Sequence, residues 1–192
     1  MRTNRLRFAL LPVVILFLFA TNSFSQKLAV KTNMPYLATA TPNVELELGL
    51  AEKFTLGVSY GINPFTFNEN KKWKHWLAQT ELRYWTCERF YGHFFGLHVG
   101  ASEYNVGRVK IPTINNAQDF RYEGWAAMSG ISYGYSWVLG KRWNLEAMLG
   151  LGVMYTDYKK FSCPECGPLQ DENSKTLFMP TKAAVSIIYM LK

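Results

Sequence analysis

Cysteine is scarce in these 192 residues. There are three, Cys87, Cys163 and Cys166, the last two in "CPECG". A structural zinc site needs four ligands, and no second C-x-x-C or paired histidine supplies the others. Thioredoxin-like chemistry needs a strand–helix–strand context that the chain lacks. Cys163 and Cys166 therefore either close a tight loop as a disulfide or stay as free thiols, and no metal or cofactor is expected. Charge is also thin. Charged residues are 18% of the chain and the formal net charge is +7. Three of those positive charges, Arg2, Arg5 and Arg7, sit in the first few residues, so +4 remains beyond them. That is too weak and scattered for a nucleic-acid partner. Helical periodicity of useful length, low-complexity tracts, long-period repeats and linkers are all missing beyond residue 25, which excludes solenoids and multidomain arrangements.

Only one long apolar run is present, Phe8 to Ala20, following the three arginines and followed by Ser23, Phe24 and Ser25. This is the pattern of a secretory signal peptide over residues 1–25, and the run is short for a membrane anchor. No cysteine follows the expected cleavage point, so a lipidated N-terminus is not expected. Residues 26–192 then form a single domain.

What recurs in that domain is alternation. In "NVELELGLAEKFTLGVSYGI", residues 43–62, Val44, Leu46, Leu48, Phe54, Leu56, Val58, Tyr60 and Ile62 share one face, while Glu45, Glu47, Thr55, Gly57, Ser59 and Gly61 share the other. Such runs predict strands over 27–36, 43–50, 54–62, 76–86, 92–102, 122–138, 143–157 and 181–191. Short turns at 51–53, 87–91 and 139–142 alternate with mostly longer connections at 63–75, 103–121 and 158–180, and a shorter one at 37–42. A soluble sandwich would turn the apolar face inward, and a membrane barrel would turn it to lipid. Several runs reach the roughly 9 to 11 residues that cross a bilayer at a tilt. Aromatics are 16% of the chain and gather near strand ends. Phe54, Tyr84, Trp137, Trp143 and Tyr189 would form one belt, and Tyr36, Tyr60, Trp76, Trp125 and Tyr155 the other. The expected fold is all-β, an eight-stranded antiparallel transmembrane β-barrel in the outer membrane of a Gram-negative bacterium, with both mature termini periplasmic. The closing stretch "SIIYMLK" suits delivery to a barrel insertion machinery.

"KHWLAQTELRYWTCERFYGHFFGLH", "YNVG", "RYEGW", "ISYGYSW" and "RWNLE" together resemble the family called domain of unknown function 3575, found in Bacteroidota. The resemblance implies a small outer-membrane barrel, in some cases similar to genes set beside those for fimbrial subunits. It supplies no catalytic residue.

Parity turns Lys31, Glu45, Glu47, Glu81, Arg83, His98, Glu146 and Lys182 inward. Counting from the strand ends puts Lys31, Glu45, Glu47, Glu81, Arg83 and Glu146 at one depth, as an ion-paired plug or, alternatively, a path for protons or small solutes. Two cations there face four carboxylates, so Lys182, a proton or trapped water should compensate. A catalytic reading would recruit His98 with Ser102 and Glu81, or His75 and His93, but no motif joins nucleophile, base and orienting acid, and no enzyme is expected. The stretch Lys71, Lys72, Trp73, Lys74, His75 and Trp76 reads as a surface loop. It suits lipopolysaccharide phosphates or acidic glycans, unless its lysines are merely solvated at a barrel rim. The expected function is a structural or assembly role at the cell surface, possible partners being outer-membrane lipid, lipopolysaccharide and fimbrial subunits. The alternatives are a narrow channel or apolar-ligand carrier, and a barrel hydrolase.

Overall fold

The structure, a computed structural model, describes residues 28–67, 71–107, 120–162 and 167–191. The expected leader and the Cys163–Cys166 pair lie outside these residues; Cys87 is an exposed free thiol.

The chain folds as β1 (Leu28–Asn33), a five-residue helix α1 (Met34–Ala38), β2 (Asn43–Ala51), β3 (Phe54–Asn63), a two-residue β4 (Thr66–Phe67), β5 (Lys71–Trp85), β6 (Gly92–Gly107), β7 (Arg121–Val138), β8 (Trp143–Phe161) and β9 (Leu169–Met190). Eight of these strands form a ring in the order β3-β2-β1-β9-β8-β7-β6-β5, closed by pairing of β3 with β5. Every pairing is antiparallel. Closure satisfies both edges of most strands, so the backbone needs no second sheet to cover it.

Polarity across the wall is the reverse of a soluble core. Leu97 and Ile131 on the outer face are 60% and 70% exposed, whereas Glu47 and Arg83 on the inner face are 0% exposed. Rings line both ends of the outer apolar band. Phe54 stacks near Tyr84 at 5.3 Å, Phe95 near Tyr133 at 5.3 Å and Trp143 near Tyr189 at 4.9 Å at one end. Trp125 meets Tyr155 at 5.6 Å at the other. Among the described residues no helix is long and apolar enough to cross a membrane.

Several boundaries differ from the sequence reading. The first strand stops at Asn33, not residue 36, because Pro35 has no N–H for a ladder and sits at the start of α1, where none is needed. Tyr36 thereby leaves the expected aromatic belt for the helix. The strands beside the long connections are longer than expected: β5 starts at Lys71, β6 runs to Gly107, β8 to Phe161, and β9 starts at Leu169. Residues 71–75 and 169–180 are therefore paired strand, not loop. The boundary taken at Pro180 is instead a bulge, where Gly150 pairs with Lys182 and Leu151 with Pro180. A bulge tolerates a residue without an N–H, and the extra position, Thr181, turns inward together with Lys182.

Since β1, β2 and β3 end at Asn33, near Asn43 and at Asn63 while β5 to β9 continue, the ring has a low lip and a tall wall. Asparagines finish the low side. Asn43 Oδ1 accepts from Asn33 N at 2.7 Å, Asn33 Nδ2 donates to Ala183 O at 3.0 Å, and Asn63 Nδ2 donates to Thr39 O at 3.0 Å. These side chains satisfy backbone groups where neighbouring strands have stopped.

Candidate functional site

The interior is stacked in layers. At the end where β8 begins, Trp85, Phe90, Phe94, Ile188 and Ala29 pack into a buried apolar base. Phe90 holds a positive φ of 65°, which aims its ring inward from the 87–91 turn. Its carbonyl accepts from Asn144 Nδ2 at 2.8 Å and Ser136 Oγ at 3.1 Å. Trp85 lies 4.7 Å from Phe94, and its Nε1 donates to Thr55 Oγ1 at 2.9 Å. The narrow end is closed by side chains.

Above this base lies the charge layer. Arg83 touches all four carboxylates: Nη1 reaches Glu47 Oε2 at 2.7 Å and Glu146 Oε2 at 3.1 Å, Nη2 reaches Glu45 Oε1 at 3.0 Å, and Nε donates to Glu81 Oε2 at 2.7 Å. The guanidinium also rests on the Phe94 ring, 4.7 Å from its centroid. Lys31 Nζ meets Glu146 Oε2 at 2.8 Å and also Glu47. Lys182 Nζ meets Glu81 Oε2 at 2.9 Å and Glu45 Oε2 at 3.4 Å. Ser132 Oγ donates to Glu81 Oε1, and Gly96 leaves the space for that contact, since a Cβ there would collide with both groups. Three cations thus face four carboxylates, leaving one formal negative charge. Among the described residues Glu47 Oε1 has no hydrogen-bond partner.

The structure brings Lys31, Glu45, Glu47, Glu81, Arg83, Glu146 and Lys182 into one network. His98 stands apart from it. Its Nε2 pairs with Thr181 Oγ1 at 2.7 Å, and Gln79 Nε2 donates to Thr181 O at 3.2 Å, forming a polar shelf over the charges. The trio His98, Ser102 and Glu81 is not assembled: Ser102 Oγ donates to Trp76 O at 2.7 Å and Glu81 is engaged by the charge layer. His93 is on the outer face with Tyr133 OH at 2.7 Å, and His75 Nδ1 is beside Trp73 O at 3.2 Å near the mouth. The two histidines lie at opposite ends of the ring. No group of three or more metal-ligating side chains occurs among the described residues.

The stretch Lys71 to Trp76 is not a single loop surface. It is the first part of β5, paired with β6 from Gly107 to Glu103, so successive residues point to opposite faces. Trp73 and His75 line an interior cavity, while Lys72, Lys74 and Trp76 take the outer face, where Trp76 Nε1 donates to Glu103 Oε2 at 2.9 Å.

The sequence reading allowed an apolar-ligand carrier as an alternative but picked out none of the methionines that line this cavity. It occupies about 460 Å³ above the shelf, and Met128, Met154, Met179, Leu177, Ala126 and Val106 line it together with the rings of Trp73, Tyr104, Tyr122 and Tyr158. The first six come from four strands, β6 to β9, so only register brings them together.

No curated protein and no solved structure matches the chain significantly. One family does, over residues 10–191. With a match across nearly its whole length, the chain belongs to the family described as Protein of unknown function (DUF3575).

Proposed function

We propose that this chain is a small outer-membrane β-barrel with a structural role at the cell surface, carrying neither ion flux nor catalysis. The observation that supports it is the inversion of polarity: a ring of exposed Leu, Ile, Val and Phe surrounds buried Arg83, Lys31, Glu47, Glu81 and Glu146 and a half-buried Glu45. In water such an outer band would drive aggregation, whereas in lipid it is the favourable face. At about 3.3 Å per residue and a tilt near 40°, the stretch between Trp125 and Trp137 rises roughly 30 Å, close to a hydrocarbon core. In this reading residues 1–25 are removed on export, the short turns and both mature ends face the periplasm, and the tall wall of β5 to β9 stands on the outside.

The apolar base and the ion-paired layer argue against a channel. An ion crossing would have to displace Trp85, Phe90 and Phe94 and then break contacts that Arg83 makes to four carboxylates. Lipid would contact the band, and Lys72, Lys74 and Trp76 on the outer face of β5 suit lipopolysaccharide phosphates. A link to fimbriae rests on the family resemblance alone and would appear as co-purification with pilus subunits. The deciding experiment is fractionation of cells followed by planar-bilayer recording of the purified protein. Recovery with the outer membrane, heat-modifiable migration and electrical silence are expected; recovery in the soluble periplasm overturns the membrane reading, and steady conductance overturns the sealed interior.

A further inference from the structure

We propose that the cavity above the polar shelf binds a single-chain acidic amphiphile, its apolar tail among Met128, Met154, Met179 and Leu177 and its acidic group at Lys175. The site goes beyond the structural role proposed above, and it does not depend on whether the ring lies in a membrane.

The first argument is the chemistry of the wall. A cavity of about 460 Å³ is within the size range of small-molecule sites. Three of its hydroxyls already have partners: Tyr104 OH bonds Thr156 Oγ1 at 2.6 Å, Thr156 Oγ1 donates to Trp125 O at 3.0 Å, and Ser102 donates to Trp76 O. Gln79 is engaged with Thr181 O and with Met128 Sδ at 3.3 Å. The donors that remain, on Trp73, His75, Tyr122, Tyr158 and Lys175, lie toward the rim in the register, and the methionine rows below them suit an alkyl chain, which asks for none. Unbranched methionines adapt to such a chain without specifying one rigid shape.

The second argument is charge. Register places Lys160, Asp171 and Lys175 on the inner face of the tall wall. Lys160 is directly opposite Asp171 and lies 3.7 Å over the Phe120 ring. Lys175 is paired with Thr156, has its ammonium 5.7 Å from the Tyr158 ring, and meets no carboxylate among the described residues. It borders the cavity, as does His75, and no acidic side chain does among the described residues. A carboxylate or phosphate at that point would meet a cation with no competing partner.

The third argument is access. β1 pairs with β9 only from Ala29↔Met190 to Asn33↔Ser186, so the ring is low beside the upper part of β9. From Leu169 to Pro180 the edge of β9 turned away from β8 has no backbone partner among the described residues. α1 lies against β9 on this side but forms no strand pair with it, so a flexible chain can enter past it without parting one.

The test uses the full mature protein in phosphatidylcholine nanodiscs, with native mass spectrometry and titration calorimetry, and dodecanoate and dodecanol as probes. One dodecanoate per chain is expected. Met154→Trp, which fills the cavity, should weaken both probes at least about ten-fold, the loss of a well-buried alkyl segment. Lys175→Gln should weaken dodecanoate about three- to five-fold and leave dodecanol unchanged, as befits a solvent-accessible ion pair. Retention of β circular dichroism shows that each variant is folded; if Met154→Trp is not, Leu177→Trp fills the same space from the neighbouring strand. Absence of saturable binding, binding indifferent to the filling variants, or equal affinity for both probes overturns the proposal. Preferential binding of an extended peptide along the free edge of β9, unaffected by Met154→Trp, would also overturn it, in favour of strand addition.

Discussion

Removing the Arg83 guanidinium tests the interior most severely. The group holds Glu45, Glu47, Glu81 and Glu146 at 2.6 to 3.1 Å and is itself 0% exposed. After Arg83→Ala, Lys31 and Lys182 alone face four carboxylates, and the formal excess grows from one negative charge to two. Breaking a buried ion pair by deleting one partner costs about 3 to 5 kcal/mol, because the remaining charge is left desolvated. Loss of the contact with Phe94 adds about 0.5 to 2 kcal/mol. Against a total stability of roughly 5 to 15 kcal/mol, this is a large fraction. Arg83→Met separates charge from volume, since it keeps much of the packing on Phe94 and should still lose most of the stability. Arg83→Lys should fall between, as a point charge cannot address four carboxylates with a planar fork. Urea unfolding of the protein in lipid vesicles, followed by tryptophan fluorescence, measures the series. An unchanged midpoint for both Arg83→Ala and Arg83→Met, especially with steady conductance in the unmodified protein, would refute the account of the layer as a buried plug.

The four carboxylates should not be equivalent: Glu81 accepts from Ser132, Arg83 and Lys182, while Glu47 has one oxygen without a partner in a layer carrying excess negative charge. The same unfolding assay should give Glu47→Gln a loss within about 1 kcal/mol and Glu81→Gln a loss of about 2 kcal/mol or more; the reverse order would contradict the assignment. Gly96→Ala pushes a methyl group into Ser132 Oγ and the Glu81 carboxylate and should cost about 1 to 3 kcal/mol, with Ser132→Ala recovering part of it in a double-mutant cycle. Ile131→Arg distinguishes lipid from water outside the ring: at a 70% exposed position it should be nearly neutral in a soluble protein but cost roughly 2 to 4 kcal/mol in a bilayer. Amide exchange along Leu169–Pro180 should alternate, slow where the N–H points to β8 and fast where it points to the free edge; uniform protection would mean that the edge is covered.

How legible the interior was depended on where the alternation of polarity survives. Within the apolar band every second residue is apolar or aromatic outside and polar or small inside, so parity alone separates Glu45 and Glu47 from Val44, Leu46 and Leu48. Beyond the band both faces are polar, as in Lys72 to His75 or Asp171 to Thr176. The pairing of strands continues there, but the hydrophobic signal for it has gone, and paired backbone was read as loop. Pro180 hid the rest. The expected strand began only after it, whereas the bulge against Gly150 and Leu151 absorbs its missing N–H and shifts the parity of β9 by one. That shift brings Thr181 inward beside Lys182, which parity had already turned there. Thr181 gives His98 a hydroxyl partner, and Lys182 is the third cation that four glutamates require. The same irregularity puts Leu177 and Met179 on the wall of the cavity, since residues on either side of the bulge keep opposite parities yet face one interior. A single register step, invisible to any count of alternating residues, thus connects the charge balance of the layer to the shape of the cup above it.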